Sequence, residues 1–242
     1  MMRVLSAKGL FKRYRKTTIV NNVDVVVASK EIVGLLGANG AGKTTCFDMM
    51  IGLVRSDQGV IFLDQEDITG LPMHERARKG IGYLPQEHSV FRKLTAEQNI
   101  LAVLEATGKH GRSVQNQICD RLLGELGIRN LKDKQTIQLS GGEKRRVEIA
   151  RALALEPSFI LLDEPFAGID PIAVRDIRHI IEILRSRGIG VLITDHNVRE
   201  TLRICNRAYI LHKGEVLVSG EPGTIMQDER AREVYLGHDF NM

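Results

Sequence analysis

Aromatic residues make up only 5% of the 242-residue chain, and cysteine is sparser still, with three. Cys46, Cys119 and Cys205 are odd in number and far apart, so they predict neither a disulfide framework nor a zinc cluster. No apolar run approaches the roughly 18 residues that a membrane-spanning helix requires. The stretch from Met1 to Leu10 lacks the apolar segment of a secretory signal. A strong excess of one charge is missing too. The 34 Lys+Arg against 30 Asp+Glu leave a net charge of +4, too mild to argue for nucleic acid as a partner. There is no internal repeat, low-complexity tract or linker. These absences predict a soluble chain of a reducing compartment, whose membrane contact, if it has one, runs through partners.

What is present points to a packed α/β core. Hydrophobic residues at 43% and charged residues at 26% exclude wholesale disorder. Short apolar runs at 32–36, 159–162 and 190–194 each end abruptly in polar or glycine residues. That pattern predicts buried parallel strands with a ligand at their carboxyl ends. Segment 4–27 alternates and reads as antiparallel strands, with Val23, Val25 and Val27 on one face, Asp24 on the other, and Val26 breaking the rule. Thr95 and Gln98 predict a capping box opening a helix that stops near Gly108. A second helix is expected over 113–126 with Gly127 as terminator, and a third from Pro171 to about Gly188. Residues 94–131 carry no buried-strand signal and read as an inserted helical block. Lys213-Gly214 between two strand-like runs predicts a hairpin.

The chemistry is concentrated in a few segments. Gly37-Ala38-Asn39-Gly40-Ala41-Gly42-Lys43-Thr44 fits the P-loop pattern after a strand. Its glycines let backbone N–H groups curl round phosphate oxygens, and the next helix aims its amides at the same anion. Lys43 is expected to reach the β- and γ-phosphates of ATP, and the Thr44 hydroxyl to ligate Mg²⁺. Asp163 and Glu164 close a buried strand. The first suits water-mediated Mg²⁺ coordination and the second can deprotonate an attacking water. Leu139-Ser140-Gly141-Gly142-Glu143 opens a long amphipathic helix. Ser140 and Glu143 form a capping box, yet two glycines weaken a helix start, and the exposed amides make a second phosphate cradle. Two copies facing each other, each cradle completing the other's site, account for both cradles.

Taken in order, GANGAGKTT, LSGGE, FILLDEP, AGID and TDH resemble the ATP-binding cassette (ABC) ATPases across essentially the whole chain. The resemblance implies one domain, 1–242: a P-loop α/β core (1–86 and 158–242) with a mostly parallel sheet and an N-terminal antiparallel β-subdomain, and a helical subdomain over 87–157. It implies a homodimer with two sites for ATP and Mg²⁺. By residue, it implies adenine stacking by Tyr14, phosphate contacts from the P-loop through Thr45, and a Mg²⁺ contact from Gln86. It also implies that Ser140, Gly141 and Gly142 meet the opposite subunit's γ-phosphate, that Asp170 faces the dimer, and that His196 is a switch on the γ-phosphate. A single cassette without long heptads points away from translation factors and DNA-repair relatives and toward a transporter's ATPase subunit.

Finer stretches refine the expectation. Asp163 to Ile172, Ile193 to Thr201 and Tyr235 to Phe240 resemble the ATPases of lipopolysaccharide exporters, with branched-chain amino-acid importers the alternative. A non-hydrolysing regulatory module is the reading of another class, and it conflicts with the presence of Glu164 and His196. The resemblance implies two transmembrane permease partners and a place on the cytoplasmic face of a bacterial inner membrane. Finally, residues 87–94 are too apolar for an ordinary loop, and Phe91 and Leu94 are expected to help form a groove for a permease helix, with Arg92 and Lys93 on its rim.

Overall fold

The computed structural model describes residues 2–168 and 171–237; Asp170 and the segment 238–240 singled out above lie outside them. In chain order the elements run β1 (Val4–Tyr14), β2 (Thr17–Ala28), β3 (Ile32–Gly37), α1 (Lys43–Ile51), β4 (Gln58–Leu63), β5 (Glu66–Asp67), α2 (Met73–Arg78) and β6 (Ile81–Leu84). Then come α3 (Ala96–Thr107), α4 (Arg112–Glu125), α5 (Gly141–Leu153), β7 (Phe159–Asp163), α6 (Pro171–Ser186), β8 (Gly190–Thr194), α7 (Val198–Ile204), β9 (Arg207–His212), β10 (Glu215–Gly220) and α8 (Pro222–Gln227).

Two sheets organise these elements. One is antiparallel, in the order β2-β1-β4-β5; the other runs β10-β9-β3-β8-β7-β6. In the second sheet every pairing is parallel except the β9–β10 hairpin. Alternation along the central strands sends side chains into two layers. Leu35, Leu161 and Leu192 face α1 and the antiparallel sheet, packing with Phe47, Met50, Val23, Val25 and Ile61. Ile160, Val191 and Ile193 face the other way, onto α5, α6 and the α3–α4 pair. The P-loop helix is therefore held between two sheets, with Phe47 and Met50 fully buried.

The local signals read from sequence have physical counterparts here. Val23, Val25 and Val27 are buried and Asp24 is exposed. Val26 breaks the alternation because it meets the second sheet: its N–H donates to the Tyr209 hydroxyl and its carbonyl accepts from Arg207. The α3 box is complete in both directions, and Gly108 ends the helix in the left-handed region. Gly127 lies in that region just past α4, as Gly188 does past α6. Lys213 and Gly214 both take positive φ (47° and 86°), the geometry that matches strand twist in a two-residue hairpin. The element beginning at Gln58 and the short α2 were not anticipated. Their tie to the site is Arg76, 2% exposed, whose guanidinium donates to the Met49 and Met50 carbonyls at the end of α1 (2.7 and 2.8 Å) and to those of Leu71 and Thr69.

Candidate functional site

Parallel strands deliver their carboxyl ends to one edge, and the register brings the chemistry together there. Leu35 of β3 lies opposite Thr194 of β8, and Thr194 lies opposite Asp163 of β7. The P-loop strand and the acidic strand are thus separated by β8, which leads into His196. The loop after β3 is held from behind. A Cβ on Gly37 would collide with the Leu211 carbonyl, and one on Gly42 would stand 2.6 Å from the Ile19 carbonyl. Only glycine lets the loop pack this closely against β9 and the β1–β2 hairpin. Ala38, Asn39 and Gly40 face solvent, as does Thr44, while Thr45 is half-buried. The Lys43 ammonium, 8% exposed, closes the loop on itself by donating to the carbonyls of Gly37 (2.7 Å) and Ala38 (3.1 Å). Burial lowers its pKa, against the pull of the Glu164, Asp195 and Asp163 carboxylates.

Asp163 accepts a hydrogen bond from the Thr194 hydroxyl at 2.7 Å. Burial pushes its pKa up, the Thr194 bond opposes that shift, and the Glu164 carboxylate adds to it. A half-buried carboxylate in this condition is relieved by a cation. Thr44, Asp163 and Gln86 supply oxygen donors only, and no cluster of three or more His, Cys, Asp or Glu suited to a metal occurs among the described residues. Few oxygen ligands, with room for water and phosphate, fit Mg²⁺, which keeps much of its shell.

Glu164 sits at φ 43°, a costly conformation for a side-chain-bearing residue. Its N–H donates to the Thr194 carbonyl (2.7 Å), and its carboxylate lies 3.4 Å from His196 Nδ1. The pairing is held by a residue that sequence reading did not single out. Asp195 is fully buried and accepts the N–H groups of Phe166 (2.8 Å) and Asn197 (2.7 Å), pinning the loop after β7 to the loop after β8. An acid closing a fully apolar strand was the available signal.

Gln86 is exposed beyond β6. With Glu164, Gly141, Gly142, His88 and Arg145 it lines a cavity of about 90 Å³. The α5 start has the full capping box: Glu143 N–H donates to Ser140 Oγ, and Ser140 N–H to the Glu143 carboxylate, which that bond holds below the ordinary range. Gly141 and Gly142 are helical without positive φ. An added Cβ would touch nothing within 4 Å at Gly142 and only His88 Nε2, at 3.7 Å, at Gly141. Neither conformation nor crowding within the chain calls for glycine there; an external group approaching the backbone would. Tyr14 is 47% exposed at the tip of the β1–β2 hairpin, whose Ile19 carbonyl abuts the P-loop.

Away from this edge, Phe91 is 48% exposed and lines a groove of about 630 Å³ with Ala77, Arg78, Val103, Lys109 and Leu155. The expectation for Leu94 is corrected: it is half-buried and absent from the lining, because backbone bonds to Phe91 and Thr136 turn it into the fold. Arg92 and Lys93 are exposed but also outside the lining, where the cations are Arg78 and Lys109.

A phosphate loop, a paired acid and histidine, and a second glycine-rich helix start on a two-sheet scaffold define an ABC-type ATPase. The ABC transporter family model matches residues 20–167, and the chain belongs to that family. It is 61% identical, over the full length of both chains, to the lipopolysaccharide export system ATP-binding protein LptB of Acidithiobacillus ferridurans. Its fold matches the ADP conformation of an ATP-binding cassette of an ABC transporter with a TM-score of 0.87 and 25% identity, over 98% of this chain and 100% of that one. A dimeric cassette in a post-hydrolysis state bound to ADP and Pi matches with a TM-score of 0.78 and 25% identity, over 90% and 98%.

Proposed function

We propose that this chain is the ATP-hydrolysing subunit of a lipopolysaccharide exporter, acting at the cytoplasmic face of the inner membrane as a homodimer joined to two transmembrane permease subunits. The cargo rests on the full-length identity of 61% to the Acidithiobacillus protein. The chemistry rests on the convergence of Lys43, Asp163, Glu164 and His196 at one sheet edge.

On this reading the P-loop amides and Lys43 take the phosphates, with the ammonium exchanging its own-loop carbonyls for phosphate oxygens. Tyr14 stacks on adenine. Thr44, Asp163 and Gln86 hold Mg²⁺, which when bound offsets charge on the β- and γ-phosphate oxygens. Glu164, fixed by its backbone bond to Thr194, orients the attacking water and accepts its proton. His196 contacts the γ-phosphate while its Nδ1 faces Glu164. Ser140 and the open backbone of Gly141 and Gly142 cover the γ-phosphate held by the second copy, and Asp170 couples the two sites across the dimer.

Glu164→Gln tests the chemistry: ATP binding should persist while turnover falls about 10²–10⁴-fold. In light scattering the same variant should pair on ATP and not on ADP, which lacks the γ-phosphate that both cradles hold. Unchanged turnover overturns the base assignment. The cargo is tested by depleting the chain from cells: lipopolysaccharide should accumulate in the inner membrane, and normal export would refute it.

A further inference from the structure

Residues 12–16 read Lys-Arg-Tyr-Arg-Lys at the tip of the β1–β2 hairpin. Arg13, Tyr14, Arg15 and Lys16 are exposed. The Lys12 side chain is only 14% exposed, and nothing in the chemistry above uses it. Its ammonium stands over the Tyr14 ring, 5.4 Å from the centre, and donates to the Arg55 carbonyl (2.8 Å) and to one Asp57 carboxylate oxygen (2.7 Å). The other Asp57 oxygen accepts the Arg13 N–H (2.8 Å), and the Asp57 N–H donates to the Phe11 carbonyl (2.9 Å). The Lys12 bond, and then the Arg13 N–H, hold the Asp57 carboxyl below the ordinary range, so it is an ionised partner at neutral pH. Arg55 and Asp57 lie in the turn that follows α1, the P-loop helix.

An aromatic side chain that is 47% exposed has rotamer freedom to lose when a ligand stacks on it, and that ordering costs affinity. A cation seated on one ring face removes part of this freedom beforehand and leaves the opposite face for a base. Its anchors in the turn after α1 tie the ring to the helix whose other end takes the phosphates, so base and phosphate contacts keep one spacing. We propose that Lys12 is a positioning residue of the ATP site: clamped by Asp57 and the Arg55 carbonyl, it holds the Tyr14 ring so that adenine stacks on the free face. The proposal rests on the stacking role given to Tyr14 above.

The test uses the full chain and ADP, which is bound without turnover, with inorganic pyrophosphate as the ligand that lacks the base. Calorimetric titration gives both affinities for the parent, Lys12→Met, Lys12→Arg, Tyr14→Ala and the double variant Lys12→Met with Tyr14→Ala. Lys12→Met, similar in length without the charge, should weaken ADP about fivefold, the cost of ordering one side chain, and leave pyrophosphate affinity as in the parent. Lys12→Arg, which keeps a cation over the ring, should recover most of the loss. On the Tyr14→Ala background, Lys12→Met should weaken ADP further by less than about twofold, because the lysine acts through the ring. If Tyr14→Ala weakens ADP and Lys12→Met binds it like the parent, the proposal fails and the stacking reading stands. If Lys12→Met weakens ADP and pyrophosphate alike, or its full loss persists without the ring, the lysine acts on the phosphates or the fold, and the assignment is overturned. Parental ADP affinity in Tyr14→Ala removes both readings.

Discussion

Arg76 offers the most direct link between a buried side chain and the nucleotide loop. Four carbonyls, two of them at the carboxyl end of α1, take up its guanidinium. Helix ends leave such carbonyls unpaired and carry negative partial charge, so a buried cation suits the position twice over. Burial draws the Arg76 pKa down to about 10, still well above neutral, and the charge is retained. Arg76→Met fills similar space and removes every donor. The Met50 carbonyl, whose bond to Arg76 is buried, would be left without a partner at about 1–3 kcal/mol, while the Met49 carbonyl would keep only the long bond from the Gly52 N–H (3.3 Å). The expected loss is about 2 kcal/mol, which for a chain of this size lowers the melting temperature by roughly 6 °C. Arg76→Lys, keeping the charge but not the fork, should fall between. ATP at a hundred times its dissociation constant should raise the stability of parent and variant alike, by about 2.7 kcal/mol, because the P-loop at the other end of α1 is untouched. A melting temperature within about 3 °C of the parent would refute the assignment of Arg76 as the cap of the P-loop helix.

Three other outcomes follow from the site. Asp163→Asn should raise the melting temperature of the nucleotide-free chain at neutral pH while removing Mg²⁺-dependent turnover: a carboxyl whose folded pKa is raised stabilises the fold only when protonated, so the variant's advantage should be present above the folded pKa and disappear as pH falls below the ordinary aspartate range. Equal melting curves at all pH values would show that burial of Asp163 carries no cost. Lys43→Ala should weaken ATP binding itself, in contrast to Glu164→Gln, and calorimetric titration showing parental affinity would reject the phosphate role. Phe91→Ala should cost only about 1–2 kcal/mol, since about half of the residue is exposed and the Arg151 guanidinium lies over its ring, 4.5 Å from the ring centre; basal ATPase should persist and co-purification with permeases should be lost, and intact assembly would refute the groove.

The features legible in the sequence were those with a local physical signature. Capping at Thr95 and Ser140 depends on residues three apart, and both boxes are complete in the structure. The strand ends at Asp163 and Thr194 were readable because every residue before them is buried. Illegible features depend on distant partners. Arg76 lies in the short polar helix α2, whose sequence, Met-His-Glu-Arg-Ala-Arg, reads as a solvated face. Glu148 follows two arginines on α5 and looks equally solvated, yet it is 1% exposed because a loop 60 residues away brings its donors. Asn99, in the first turn of α3, carries no local signal of its role. It is fully buried and fastens the Phe91 backbone in both directions, through its own carbonyl and amide.

Those long-range ties also decide how the groove and the ATP site communicate. From Pro85, beside Gln86 at the cavity, to Ser89, near Phe91 at the groove, the chain is fastened to one helix four times: Arg145 to the Pro85 carbonyl, Glu148 to the His88 ring and to the Ser89 N–H, and Arg151 to the Ser89 carbonyl. All three side chains belong to α5, whose first turn carries Gly141 and Gly142. The Phe91 end is also held by Asn99 and by the Thr136 hydroxyl. A push on Phe91 that moved Gln86 alone would break several hydrogen bonds, most of them partly buried and so costly to leave unmade. Moving α5, the loop, the α3 start and the Thr136 segment as one body breaks none of them. The lower-cost motion therefore carries the glycine-rich helix start along with Gln86, so that a helix seated in the groove and a nucleotide at the cavity act on the same rigid piece. Coupling between them must then run equally in both directions, since each ligand can bias that piece only by its difference in affinity for the two positions.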